Sequence, residues 1–190
     1  MTPTPPRHGS PFTSPDLQLE DMFCVIVLAP ERPVKTGDLA TLLGADPATL
    51  RPYTGGRSMT DLTMGDYLLS SQHGRWVIFE NNGTGCSSVE RVAKVSSRGH
   101  AIAYFVNING SIAMTYAVRG RVLAEIDAPH QTPDKGDTEA ARALKALQGV
   151  SLQFVEPDRA VPLVESIGGV KLDWAWFDGP QTALRAAGRP

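Results

Sequence analysis

Two tight turns inside one stretch of β-favouring residues constrain this chain more than any other feature. Residues 100–127 read HAIAYFVN-ING-SIAMTYA-VRG-RVLAEID, three short strand-like segments in succession. Asn109-Gly110 by itself suggests a two-residue type I′ hairpin loop. That loop pairs Phe105 with Met114 and scatters the large side chains over both faces. A three-residue loop, Ile108-Asn109-Gly110, instead pairs Val106 with Ile112, Tyr104 with Met114 and Ile102 with Tyr116, so the large residues share one face. Gly110 then falls where a left-handed residue is needed. The same logic at Val118-Arg119-Gly120 pairs Tyr116 with Val122, Met114 with Ala124 and Ile112 with Ile126. A one-residue slip sends every side chain to the other face, so the apolar pattern fixes the register. An antiparallel meander follows.

Around the meander, residues 22–29 form a continuous Val- and Ile-rich run, the mark of a buried strand. Thr36 is placed to cap a short helix carrying Leu39, Leu42 and Leu43 and stopped by Gly44. Residues 67–70 and 75–81 form a hairpin about His73-Gly74. Ser87-Ser88-Val89-Glu90 fits a capping box with Ser87 as N-cap, opening a helix that buries Val89, Val92 and Ala93. Further helices are expected over 138–148 and from Asp158 to Gly168-Gly169, an extra strand over 151–155, and an extended strand or tail over 170–177. Helices and strands do not alternate strictly. The fold class is α+β, an antiparallel β-meander sheet with helices packed mainly on one face.

The layout is a disordered Pro-rich leader over residues 1–18, a single domain over 19–178 and a flexible tail over 179–190. Five prolines and no apolar stretch in the first fifteen residues argue for the leader and against a secretory signal. At 190 residues, a chain buries about 70% of its unfolded surface and needs no covalent staple. Cys24 and Cys86 are too few for a disulfide framework, and Cys24 reads as a small buried hydrophobe. A net charge of −2 gives no general drive toward nucleic acid or anionic membrane. No stretch reaches the roughly 18 apolar residues of a membrane span. The expected setting is cytoplasmic.

The candidate chemistry lies in one loop, Asn81-Asn82-Gly83-Thr84-Gly85-Cys86-Ser87-Ser88, between a strand and a helix. Gly83, Gly85, Cys86, Ser87 and Ser88 are its candidate ligand contacts, because glycines let an anion approach and helix N-terminal amides favour it. The loop lacks the Gly-Lys-Ser/Thr ending of a phosphate-binding loop, and a turn followed by a helix cap is the plainer reading. Cys86 stands where a helix N-terminus lowers a thiol pKa, with His73 or His100 as bases if the fold brings them near. The four histidines have no ligand spacing, so no metal is expected, and no cofactor is called for. The second face of the meander, Ala101, Ala103, Phe105, Ala113, Thr115, Ala117 and Leu123, carries small residues with an occasional large one and suits either cover by the C-terminal segment or a partner surface. Trp174, Trp176 and Phe177 are anchors for either role, and on a strand the two tryptophans point inward and Phe177 outward.

Several short motifs resemble a family of uncharacterised domains common in actinobacterial genomes. They are Trp76-Val77-Ile78-Phe79-Glu80 running into Asn81-Asn82-Gly83, Ser97-Arg98-Gly99, Asn107-Ile108-Asn109, Gly120-Arg121, Ile126-Asp127, and Gly169-Val170-Lys171-Leu172 followed by Trp174. The likeness covers residues 20–177 and departs at Thr84-Gly85-Cys86, where members usually carry an aromatic residue. It implies a bacterial setting and, having no established activity behind it, transfers no site. The sequence thus supports a non-enzymatic module that binds another protein. The alternative is a small enzyme or nucleotide- or anion-binding domain using the 83–88 loop. It sets no oligomeric state.

Overall fold

The computed structural model describes residues 11–13, 23–54, 62–63, 65–81, 88–106, 112–127, 142 and 157–186. Its centre is β1 (Phe23–Pro30). Residues Cys24 to Leu28 have no exposure, since both faces of this strand are covered, which explains an unbroken rather than alternating apolar run. The hairpin of β3 (Tyr67–Gln72) and β4 (Arg75–Asn81) turns through His73 and Gly74, with φ of 50° and 79°. Two left-handed residues make a type I′ turn, whose twist suits the strands it joins.

The meander is β5 (Gly99–Val106), β6 (Ile112–Val118) and β7 (Arg121–Asp127). Val106 pairs with Ile112, Tyr104 with Met114 and Ile102 with Tyr116, the register read from the apolar pattern. The turn containing Gly110 lies outside the described residues. The second turn differs from expectation. Val118 pairs with Arg121 across a two-residue loop, Arg119 at φ 48° and Gly120 at φ 80°. The positive φ of Gly120 is as expected; the three-residue loop is not formed. A bulge restores the facing: Ala117 pairs with Val122 but Tyr116 with Ala124, which leaves Leu123 as the extra residue. Leu123, Ala124 and Ile126 then pack on one face while Val122 packs on the other.

With β2 (Arg51–Tyr53) and β8 (Gln181–Leu184), the described strands form one eight-stranded sheet in the order β2-β8-β3-β4-β1-β5-β6-β7, every pair antiparallel. The fold is α+β, as read from the sequence. Its helices divide between both faces rather than gathering mainly on one. On the first face, α1 (Thr36–Leu43) and α2 (Val89–Ser96) bury Leu39, Leu43, Val92 and Val95 against Cys24, Ile26, Leu28 and Ile78. Thr36 is the first helical residue rather than the cap, and Gly44, at φ 71°, closes α1 by donating to the Ala40 and Thr41 carbonyls. The small residues Ala101, Ala103 and Ala117 lie under this layer. They are small because α2 sits close to the sheet, so α2 and not the C-terminal segment covers them. Ser96, fully buried, donates to the Ala93 carbonyl and accepts from Gly120 N–H, fastening the β6–β7 turn to α2.

On the second face, α3 (Pro157–Gly168) lays Ala160, Val161 and Val164 over β1 and β5. The helix opens at Pro157, one residue before the expected Asp158 cap, a position where a missing N–H is harmless. A Cβ at Gly168 would lie 2.5 Å from Val27 Cγ1, so only glycine permits this approach. Of the helix expected over 138–148, Arg142 is described and is helical; the rest of it, and the strand expected over 151–155, lie outside the described residues.

Three expectations are corrected at the termini. Residues 170–177 are not a strand: Asp173 caps a short helix, α4 (Trp174–Asp178), by accepting from Trp176 N–H at 3.0 Å. A helical turn puts all three aromatics inward, and Phe177, at 1% exposure, is more buried than Trp174 at 7% or Trp176 at 8%. The region read as a flexible tail holds β8, inserted between β2 and β3. The region read as a disordered leader holds a 3₁₀ turn, Pro11–Thr13, whose Phe12 is buried against Phe23 and Trp176 with ring centres 5.2 and 6.2 Å apart.

Candidate functional site

Gly83, Gly85, Cys86 and Ser87 lie outside the described residues; Ser88 is described. It is the N-cap of α2, in extended conformation, and its Oγ accepts from Arg91 N–H at 3.2 Å. The capping box centred on Ser87 is therefore displaced by one residue, and Glu90 does not take the N3 position, which Arg91 fills. Arg91 carries the local architecture. Its Nη1 donates to the Leu43 carbonyl at 2.7 Å and to the Tyr67 hydroxyl, and its guanidinium carbon stands 6.0 Å from the Tyr67 ring centre. Tyr67 faces Glu80 across the β3–β4 pair, and both are buried. The first turn of α2 is thus bound to the end of α1 and to the sheet through one arginine and one phenol.

Cys86, weighed in the sequence as a thiol with a lowered pKa, lies outside the described residues. Cys24 is fully buried and disulfide-bonded, which corrects its reading as a free apolar filler. His73 lies in the turn before β4, at the end of that strand away from Asn81. His100 pairs with Ala29, next to the Leu28–Trp76 pair at the His73 end of the sheet. Burial, the largest influence, holds the His100 pKa below its ordinary value, with a smaller push from Arg75; a backbone bond to Ile167 and the charge of Glu31 oppose this. Among the described residues no group of three or more metal-ligating side chains comes together, and no helix is long and apolar enough to cross a membrane.

A second feature, which the sequence reading missed, lies at the outer side of β3. Gln72 and Arg75 flank the two-residue turn and so exchange both backbone hydrogen bonds with each other. Pairing alternates along the strand. Ser71 therefore aims its N–H and C=O away from β4, as Leu69 does toward Thr182 of β8. Continued by two residues, that register would set Ser71 opposite Pro180. It has no N–H to give, and the β3–β8 ladder ends at the Leu69–Thr182 pair. Among the described residues no backbone hydrogen bond reaches Ser71 from that side.

Beside this open edge lies a cleft of ≈ 360 Å³ lined by Ser70, Ser71, Asp173, Ala175, Trp176 and Pro180, among others. It shares Gln72 and Lys171 with a second, ≈ 600 Å³ cleft that runs over Pro162, Glu165 and Val170 toward His73. The walls are fixed. The Gln72 side-chain amide donates to the Lys171 carbonyl at 2.7 Å and accepts from Lys171 N–H at 2.9 Å, as a neighbouring strand would. Glu165 accepts from Leu172 N–H at 2.7 Å and pairs with the Lys171 ammonium at 3.2 Å. Trp176 Nε1 donates to Ser70 Oγ. Pro180 was the one available signal in the sequence, but its meaning depends on what stands opposite it. The chain matches no protein-family model, no curated protein and no solved structure.

Proposed function

We propose that this chain is a non-enzymatic protein-binding domain that receives an extended segment of a partner along the outer edge of β3. The setting we propose is a bacterial cytoplasm, which rests on the resemblance drawn from the sequence alone. The observation that carries the reading is the open backbone pair of Ser71, framed by Pro180 and by a cleft with rigid walls. An incoming strand gains main-chain hydrogen bonds at Ser71, and its alternate side chains fall into the clefts on either side of the Gln72–Lys171 link. The apolar floor of Trp176, Ala175 and Pro180 suits one uncharged side chain, and Lys171 and Asp173 at the rim suit a polar flank.

The test is selection from a random peptide library on the immobilised full chain, followed by titration of the selected peptides against the wild type and Ser71→Pro. Proline is tolerated in a strand where its missing N–H faces outward, so the variant stays folded while the edge is blocked. Loss of a main-chain donor and the bulk of the ring together weaken binding by about tenfold or more. Selected peptides that bind Ser71→Pro as tightly as the wild type, or a library that yields none, overturn the reading.

A further inference from the structure

The end of the β3–β8 ladder far from Ser71 carries a smaller cavity of ≈ 250 Å³, lined by Thr49, Arg51, Asp66, Ala183, Leu184 and Arg185. The strands bring its charges together. Ala183 of β8 pairs with Arg51 of β2 on one side and with Leu68 of β3 on the other. Paired residues share a face, and Arg185 and Asp66 lie two residues along from Ala183 and Leu68 on that same face. Continued by one residue, the β3–β8 register would set Asp66 opposite Arg185, roughly 5 Å apart at Cβ.

Asp66 is 5% exposed. Its Oδ2 accepts from Thr63 N–H at 3.0 Å, and its own N–H donates to the Thr63 carbonyl at 3.0 Å, which fixes the carboxylate. Oδ1 accepts no hydrogen bond among the described residues. Arg185 is anchored at its backbone, where N–H donates to Thr49 Oγ1 at 3.1 Å, and its guanidinium forms no ion pair among the described residues. The Arg51 guanidinium carbon stands 5.9 Å from the Tyr53 ring centre. A buried carboxylate oxygen without a donor is costly. Here a cavity, rather than a direct contact, lies between it and the arginines.

We propose that this cavity binds a free α-amino acid with a short side chain. The ammonium group donates to Asp66 Oδ1, and the carboxylate accepts from Arg185 and Arg51, the geometry in which a guanidinium binds most strongly. A zwitterion meets both requirements at once. An inorganic anion would face the Asp66 carboxylate, and a bare amine would face two arginines. Thr49 Oγ1 is already engaged, donating to the Asp46 carbonyl at 2.7 Å and accepting from Arg185 N–H, so charge sets the selectivity. The volume lies below the roughly 300–1,000 Å³ of pockets that hold drug-sized ligands, which limits the side chain. The site is independent of the peptide edge at Ser71.

The experiment is calorimetric titration of the full chain with glycine, alanine and serine, and with propionate, ethylamine and inorganic phosphate. The amino acids are expected to bind. Propionate and ethylamine, each lacking one charged end of alanine, are expected to bind about tenfold more weakly or worse. Arg185→Gln changes an exposed side chain and is expected to weaken alanine binding about tenfold with an unchanged melt. Asp66→Asn keeps an acceptor for Thr63 N–H and is expected to bind alanine no better than propionate. Propionate or phosphate binding the wild type as tightly as the amino acids refutes the proposal and leaves a plain anion patch. No binding of any of the three amino acids, or an Arg185→Gln chain that binds them as the wild type does, also refutes it. If Asp66→Asn does not fold, the half-molecules and Arg185→Gln still decide.

Discussion

Removing Phe12 tests whether a short arm ahead of the first strand belongs to the core. The ring is 6% exposed, tilted on Phe23 and stacked on Trp176. Burying a phenylalanine side chain is worth about 3 kcal/mol, and the surface it covers on its two partners adds about 2 more. The ring–ring geometry adds about 1 kcal/mol. Against these about 6 kcal/mol stands the ordering of three residues, about 4 kcal/mol. The net docking free energy is therefore about 2 kcal/mol, and that sets a ceiling, because an arm that loses its anchor simply detaches. Phe12→Ala is expected to cost about 2 kcal/mol rather than the 3–5 of a phenylalanine held in a closed core. For a chain of this length that is a fall in melting temperature of about 4–8 °C. A chain begun at residue 17 should melt at the same temperature as Phe12→Ala, and both should show red-shifted tryptophan fluorescence as Trp176 meets water. Circular dichroism melts of the three proteins decide it. Melting within a degree of the wild type refutes the docking, and a loss beyond about 4 kcal/mol refutes the detachable arm.

Phe177→Ala, at the most buried ring of α4, should cost about 3–5 kcal/mol in chemical denaturation, and at least as much as Trp174→Ala; a smaller loss at Phe177 would restore the outward-facing strand. Gly120→Val should cost about 1–2 kcal/mol, since a β-branched residue at φ 80° is strained, and an unchanged melt would contradict the type I′ turn. His100 has a folded-state pKa below its ordinary 6.5, so between the two values the unfolded chain binds more protons and stability rises with pH. Acidification from pH 7 through 6.5 and below should therefore destabilise the wild type more than His100→Gln, and parallel pH profiles of the two would remove His100 as the cause.

The parts of the fold legible in the sequence were those fixed by neighbours in the chain. The β5–β6 register followed from which residues are large, and the His73-Gly74 hairpin from a turn that two adjacent residues define. Leu123 shows where that logic stops. A bulge shifts the register without changing the apolar content, and only packing on the two faces of the sheet decides which residue is the extra one. The helix at Trp174 has five residues, too few to repeat an amphipathic pattern, so its cap, Asp173, was the sole local cue. Strand β8 takes its meaning from β2 and β3, far away in the sequence. At the candidate sites the same division holds. Ser88 was legible as part of a cap within one residue, whereas the bond at Cys24 and the open edge at Ser71 depend on partners that spacing does not identify.

The place of β8 in the sheet has a consequence for synthesis. Strand β2 has β8 as its partner, and β8 also closes the outer side of β3, yet in chain order β8 follows every other strand. As the polypeptide emerges, β1, β3, β4 and the meander can pair while Arg51–Tyr53 waits without a ladder and Tyr67–Leu69 stands as a bare edge. That edge is apolar and unprotected, the kind that recruits strands from other nascent chains. A stall or truncation just before Gln181 would leave a nearly complete sheet with two defects at once. Quality control would meet a protein in which one short strand, Gln181–Leu184, decides whether it is native or adhesive.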